Sequence, residues 1–191
     1  MRKNFGPQTW FYPSPVLIIG TYDEEGRPNA MNAAWGGIYD TNQIIICLSS
    51  HQTTDNIRKK REFTISFATK ETMVASDYVG LVSQRVEKNK IEKSGLKYEK
   101  SPFIDAPIFT DYPLTLECSV IDFINEGEGE EKGGCNVIAK IINVSADEKV
   151  VVDNKIDVSK INFIAYSAID HRYVLLSEPV GSAFVEGLKL K

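Results

Sequence analysis

The chain has 191 residues with 42% apolar and 25% charged, which suits one domain with a packed core. Its formal net charge of −4 gives no electrostatic reason to expect nucleic acid or an anionic membrane as a partner. No run approaches the ~20 apolar residues of a membrane span, and no apolar segment follows Arg2 and Lys3 as in a secretory signal, so we expect a cytoplasmic protein.

Runs of β-branched and aromatic residues between turn signals predict strands along the whole chain. The run at 44–48 is continuously apolar, which favours a strand buried on both faces. The acidic, glycine-rich segment 126–134 predicts a solvated hairpin loop between two strands. The predicted strands are residues 16–19, 28–35, 44–48, 63–67, 114–120, 137–144, 163–166 and 173–176.

Helical patterns are fewer and shorter. They cover residues 55–60, 72–82 and 88–94, the last ending before Gly95, while 157–161 is a short helix at best. Many closely spaced strands with few helices predict a mainly β protein, a barrel with peripheral helices.

The cysteines and histidines point away from metal and nucleophilic chemistry. The three cysteines form no CxxC pair, which argues against a zinc site or a disulfide framework, and Cys47 and Cys118 lie in apolar runs as small core residues. The two histidines, His51 and His171, have no second histidine at ligand spacing and offer little for a catalytic triad. We therefore predict no metal and no catalytic side chain, and expect the chemistry to come from a bound organic cofactor.

Three segments have residues suited to such a cofactor. Residues 49–56 are polar and precede a helix, so hydroxyls and free N–H groups could hold a phosphate; the alternative is a loop ending in a helix cap. The small residues of 32–37 would let a flat ring approach, with Trp35 covering it; the alternative is a core strand with a buried tryptophan. Around 83–91, Lys88, Lys90 and Lys93 lie close together, and a lysine could pair with a phosphate; the alternative is a solvated helix face.

In this order, the segments resemble the flavin-reductase-like family of FMN-binding split barrels, which includes the flavoredoxins. The likeness extends over nearly the whole chain, although the family usually has a serine–glycine pair where this chain has Ser83 and Gln84, and often an aspartate and a phenylalanine in place of Asn89 and Ile91. The matching segments are 15–21, 23–26, 28–35, 48–57, 63–66, 75–80, 90–91, 113–118, 142–144 and 181–187.

The resemblance implies a split β-barrel of Greek-key type, non-covalent FMN, and a homodimer with the flavin near the subunit interface. By position, Asn32, Ala33, Ala34 and Trp35 would face the isoalloxazine and the ribityl chain, and Lys90 would add charge at the phosphate. The residues implied to hold the ribityl chain and phosphate are Ser49, Ser50, His51, Thr53, Thr54 and Asn56.

Two functions fit this likeness. The first is an oxidoreductase that takes electrons from NAD(P)H through FMN to an acceptor. The second is a flavoredoxin-like carrier that keeps FMN tightly, docks with a redox protein and uses no nicotinamide. A flavin-binding module without turnover is a third reading, disfavoured because the sequence predicts no second domain to receive a signal.

Overall fold

A computed structural model describes residues 1–124, 134–176 and 178–191 of the chain. The helices there are α1 (Gln52–Lys60), α2 (Met73–Leu81) and α3 (Lys90–Ser94), with short 3-10 turns at Glu148–Val150, Val158–Lys160 and Glu186–Leu190. The strands are β1 (Ser14–Pro15), β2 (Leu17–Tyr22), β3 (Pro28–Ala33), β4 (Gly36–Asp40), β5 (Gln43–Leu48), β6 (Glu62–Phe67), β7 (Tyr98–Lys100), β8 (Pro107–Phe109), β9 (Leu114–Ile124), β10 (Cys135–Ala146), β11 (Val151–Val152), β12 (Lys155–Ile156), β13 (Ile164–Ser167) and β14 (Arg172–Leu175). The mainly β prediction is confirmed.

Seven strands form one antiparallel sheet in the order β3-β2-β6-β9-β10-β5-β4. Its longest pair, β9 and β10, contains the strands predicted at 114–120 and 137–144. The hairpin loop predicted for 126–134 lies outside the described residues except for Gly134. A smaller sheet, β1-β13-β14, contains the pair predicted near the end of the chain.

Alternation along β2 divides the core in two. Leu17 and Ile19 point into one apolar cluster among the strands of the large sheet. Ile18 points to the other side, where it joins Val79 of α2 and Ile91 of α3 in a second cluster. Both faces of β2 are therefore buried. The second cluster packs α2 and α3 against the sheet, where both helices also contact β3.

Strand β5 departs from the sequence prediction. Ile44 and Ile46 are buried, but Ile45 is only half-buried and Cys47 is exposed, because no described element covers that face. The prediction of a strand buried on both faces is therefore wrong, as is that of Cys47 as a core residue. Cys118 is buried, as predicted.

The strand predicted for 28–35 is interrupted at its end. Strand β3 stops at Ala33 and β4 begins at Gly36, so Ala34 and Trp35 lie in a short break between two strands. A β-carbon on Gly36 would lie 2.7 Å from Cγ2 of Ile46, so only glycine allows β4 to pack this closely. Within the break, the carbonyl oxygen of Trp35 still accepts from the N–H of Cys47 in β5 over 2.8 Å, and the Trp35 side chain is exposed.

Candidate functional site

Three pockets with shared lining residues follow the end of β3, and we call them together the groove. The polar pocket, of about 140 Å³, shares Asn32, Gly80 and Leu81 with a second, the tyrosine pocket, of about 230 Å³. The third, the apolar pocket, is about 490 Å³ and shares Ala34 with the tyrosine pocket. The polar pocket is lined by Asn29, His51, Thr53, Gln84 and Lys90 among others, the tyrosine pocket by Ala33, Asp77, Tyr166 and Tyr173, and the apolar pocket by Phe11, Pro15, Trp35, Ile45 and Cys47.

Lys90 is a buried cation at one end of this groove. It is the first residue of α3 and only 3% exposed, and within the described chain it forms no ion pair with a carboxylate. Loss of hydration lowers the pKa of this lysine to about 8. Because Lys90 is buried, the solvated helix face considered for this segment is wrong at this residue. An anion in the polar pocket would compensate for the lost hydration.

The N-terminus of α1 lies at the same end of the groove. His51 takes the N-cap position, with extended backbone and no capping hydrogen bond from its side chain in the described structure. His51, Gln52 and Thr53 all line the polar pocket. First-turn N–H groups at a helix N-terminus favour negative charge, so α1 and Lys90 both favour an anion here.

Two buried amides in the polar pocket are only half satisfied. Asn29 donates from Nδ2 to Oγ1 of Thr53 over 2.7 Å, and Gln84 donates from Nε2 to the carbonyl oxygen of Pro28 over 3.1 Å. The side-chain oxygens of both amides are buried and find no hydrogen-bond partner among the described residues. Buried acceptors of this kind are rare in proteins and suggest that a ligand supplies the missing donor.

Asn32 lies where the polar and tyrosine pockets meet. Its Nδ2 donates to the carbonyl oxygen of Ser76 and to the hydroxyl of Tyr173, each over 3.2 Å. That hydroxyl donates in turn to Oδ1 of Asp77 over 2.8 Å. Burial, with the hydrogen bond to Asp77 next, raises the pKa of Tyr173 to about 12. The side chain of Asn32 is thus held from two directions.

Trp35 ends the groove at the apolar pocket. It is 58% exposed, so the alternative of a core strand with a buried tryptophan is wrong. Neighbouring Ala33 and Ala34 are small and half-buried; Ala33 lines the tyrosine pocket, and Ala34 lines both the tyrosine and the apolar pocket. An aromatic side chain beside such a surface can cover a planar ring.

Four residues predicted from the resemblance line none of these three pockets: Ser49, Ser50, Thr54 and Asn56. Thr54 donates from Oγ1 to the carbonyl oxygen of Ser49 over 2.6 Å. Asn56 donates from Nδ2 to Oγ1 of Thr21 over 3.0 Å. These bonds tie α1 to the sheet and to the preceding loop; direct ligand contact by the four residues stays a prediction.

Other predicted residues do come together. Asn32, His51, Thr53 and Lys90 line the polar pocket, although Lys90 is 37 or more positions away from the other three in sequence. Sequence reasoning missed the roles of Asn29, Gln84, Asp77 and Tyr173. Asp77 and Tyr173 are 96 positions apart, so nothing local in the sequence signals their contact.

The described residues contain no group of three or more side chains arranged to hold a metal ion. No helix among them is long and apolar enough to cross a membrane.

Comparison with known families identifies the chain. Residues 10–156 match the model of the flavin reductase like domain. The chain belongs to this family. A search of curated proteins found no match. Family membership makes a flavin the cofactor against which the groove should be judged.

Solved structures agree with this assignment. A flavoredoxin of Desulfovibrio vulgaris (Miyazaki F) is 29% identical with a TM-score of 0.89, over 98% of this chain and 100% of its own. A flavoredoxin from Methanosarcina acetivorans is 23% identical with a TM-score of 0.85, over 100% of both chains. An FMN-binding domain of a flavin reductases-like enzyme from Shewanella baltica is 20% identical with a TM-score of 0.76, over 88% of this chain and 89% of its own. The last two show the fold alone, and the predicted mainly β split barrel is confirmed.

The groove has the chemistry that FMN requires. Its polar end offers a buried cation, helix N–H groups and buried acceptors, which match a phosphate and a polyol chain. Its apolar end offers Trp35 and small residues, which match a planar ring. The described residues therefore fit the cofactor of the family.

Proposed function

We propose that this protein binds FMN non-covalently and is an oxidoreductase that passes electrons from NAD(P)H through the flavin to an acceptor. The observation that carries the proposal is Lys90, a buried lysine without a carboxylate partner in the described chain, at the polar end of a groove whose other end is apolar. Burying a cation is costly unless a partner arrives, and a phosphate is such a partner.

Different residues of the groove contact different parts of FMN. Lys90, Thr53 and the N–H groups after His51 hold the phosphate at the polar pocket. Asn32, fixed by Ser76 and Tyr173, orients the ribityl chain. Ala33, Ala34 and Trp35 lie along the isoalloxazine and limit its contact with water.

The bound flavin supplies hydride and electron transfer, and the surrounding residues position it. This explains why a site without a catalytic triad or metal cluster among its described residues can still serve redox chemistry. The protein's contribution is orientation and a fixed electrostatic environment.

A flavoredoxin-like carrier is the second candidate. It is favoured by the match to the flavoredoxin of Desulfovibrio vulgaris (Miyazaki F), which is 29% identical over 98% of this chain and 100% of its own. A carrier would keep FMN tightly and exchange electrons with a redox protein, without direct use of a nicotinamide.

We also propose that the protein is a cytoplasmic, single-domain homodimer. Trp35 and Cys47 are adjacent and exposed on the face of β5 that no described element covers, since the N–H of Cys47 donates to the carbonyl oxygen of Trp35 over 2.8 Å. Ile45 lies on the same face and is half-buried. We call Trp35, Ile45 and Cys47 the apolar face, and a surface of this kind is normally covered by a partner. A second copy covering it would bury Trp35 beside the flavin ring.

Anaerobic reduction distinguishes the two candidates. The protein is purified, loaded with FMN and mixed with NADH or NADPH without oxygen, and absorbance is followed in the visible region. Prompt bleaching by either nicotinamide supports the oxidoreductase. Bleaching by dithionite alone would contradict it and support the carrier.

A further inference from the structure

Gln84 lines the polar pocket and carries a buried, unsatisfied acceptor. Its side chain is 1% exposed, and Nε2 is held by the carbonyl oxygen of Pro28 over 3.1 Å. Its Oε1 has no hydrogen-bond partner among the described residues. Leaving a buried acceptor unsatisfied is costly, so a donor from a ligand would stabilise this pocket.

The hydrogen bond to Pro28 fixes the orientation of this amide. A carbonyl oxygen can only accept, so Nε2 must face Pro28 and Oε1 must face away from it. Asn29 is less strictly fixed, because its partner Thr53 has a hydroxyl that can donate as well as accept. The terminal torsion of glutamine is soft, so Oε1, which is shielded in this structure, would reach a ligand by a small rotation that keeps Nε2 within hydrogen-bond distance of Pro28.

The pocket thus presents two opposite requirements. Lys90 can only donate and needs an anion, whereas Oε1 of Gln84 can only accept and needs an N–H or O–H group. A phosphate monoester has a second pKa near 6, so at neutral pH it satisfies Lys90 but brings hardly any donor. The donor must therefore come from hydroxyls on the carbon chain beside the phosphate.

We propose that Gln84 is a specificity-determining residue that accepts a hydrogen bond from a hydroxyl of a polyol phosphate, with Asn29 as a second acceptor. This inference rests on the proposed function, in which that polyol is the ribityl chain of FMN. It assigns the phosphate to Lys90 and the polyol to Gln84, so the two residues recognise different parts of one ligand.

The test variant is Gln84→Met, which keeps the side-chain volume and removes the amide. Three flavins distinguish recognition of the polyol from recognition of the phosphate. Lumiflavin has the ring alone, riboflavin adds the polyol, and FMN adds the phosphate. Dissociation constants are measured by quenching of flavin fluorescence. Gln84→Met should weaken the binding of riboflavin and FMN by about tenfold and leave the binding of lumiflavin unchanged. Lys90→Met should weaken the binding of FMN alone. The matched control is Gln8→Met, at an exposed glutamine outside the groove, which should change none of the three.

The inference is overturned if Gln84→Met binds riboflavin as wild type does, or if it weakens all three flavins equally, which would indicate a purely structural role. Wild-type protein that binds no flavin would overturn the proposed function and this inference with it. If Gln84→Met does not fold, the ligand is changed instead. A flavin phosphate whose side chain lacks the secondary hydroxyls should then bind wild type about tenfold more weakly than FMN, and equal affinity would overturn the inference.

Discussion

A β-carbon on Gly80 would lie 2.9 Å from Cβ of Asn32. This close approach brings α2 against β3 and closes the groove at the point where the polar and tyrosine pockets meet. No other residue type fits this position without a shift of the helix or the strand, because the nearest atoms belong to a short side chain held by two hydrogen bonds.

Gly80→Ala should therefore weaken FMN binding. Overpacking of this kind costs about 1–3 kcal/mol. The cost appears either as lower stability of the apoprotein or as a displacement of Asn32 that weakens FMN binding. The FMN dissociation constant and the thermal midpoint of the apoprotein measure the two effects. The control is Gly187→Ala, because a β-carbon there meets nothing within 4 Å; equal behaviour of the two variants would contradict the prediction.

Lys90 should give FMN affinity a characteristic pH dependence. Its pKa of about 8 means that the free protein loses this positive charge as the pH rises through 8. The FMN dissociation constant should therefore rise from pH 7 to 9.5, while that of riboflavin stays nearly constant. Lys90→Met should abolish the difference in slope between the two flavins. A parallel slope for FMN and riboflavin in wild type would refute the assignment of the phosphate to Lys90.

The same lysine affects the stability of the apoprotein. An unfolded lysine keeps its proton up to about pH 10.4, whereas buried Lys90 releases it near 8. Between these values the unfolded chain binds more protons, so the contribution of Lys90 makes the free energy of unfolding rise with pH. Urea titrations of wild type and Lys90→Met from pH 7.5 to 10 measure this contribution as the difference between the two slopes. A difference of zero would contradict it.

Asn56 should matter more to stability than to flavin contact. It is buried, donates to Thr21 and accepts from Gln52 over 2.9 Å, and it lines none of the three pockets. Asn56→Ala should lower the free energy of unfolding by about 2 kcal/mol. Asn162→Ala, at an exposed asparagine, is the matched control. Unchanged apoprotein stability combined with a large loss of FMN affinity would instead support the direct contact predicted from the resemblance.

The proposed homodimer depends on the apolar face. Cys47 is exposed at its centre, so Cys47→Glu should give a monomer in analytical ultracentrifugation, because a charge buried in an interface has no partner there. Val74→Glu is the control, at a 77% exposed residue on α2 outside that face. Wild type that sediments as a monomer would contradict the dimer itself.

Much of the fold followed from local pattern. Alternation at 114–120 predicted β9, because burial of one face of a strand leaves a period of two in the sequence, and the strand predicted at 137–144 is its partner β10. Strand β4 was missed because it begins with Gly36 and Gly37, and glycine is not typical of strands. The apolar residues that follow this pair in β4 are exposed, so they give no alternating pattern of burial. Cys47 was misplaced because an apolar run looks alike whether its second face meets the core or, as we propose, another subunit.

The site was predictable only in part. Thr53 could be proposed from residue type and position and Lys90 from the family resemblance, and both line the polar pocket. Gln84 could not, because its importance depends on burial and on a bond to Pro28, 56 positions away. Contacts between distant segments are set by packing, and a single sequence carries no local signal of them.

The most direct test of the account is a titration of flavin-free wild type and Lys90→Met with FMN, followed by fluorescence quenching at pH 7. We predict saturable binding at one FMN per chain in wild type, and affinity at least about tenfold lower in Lys90→Met, as expected for loss of a charge-assisted contact. Absence of quenching in wild type would contradict the flavin site, and equal affinity in the two proteins would contradict its placement at Lys90.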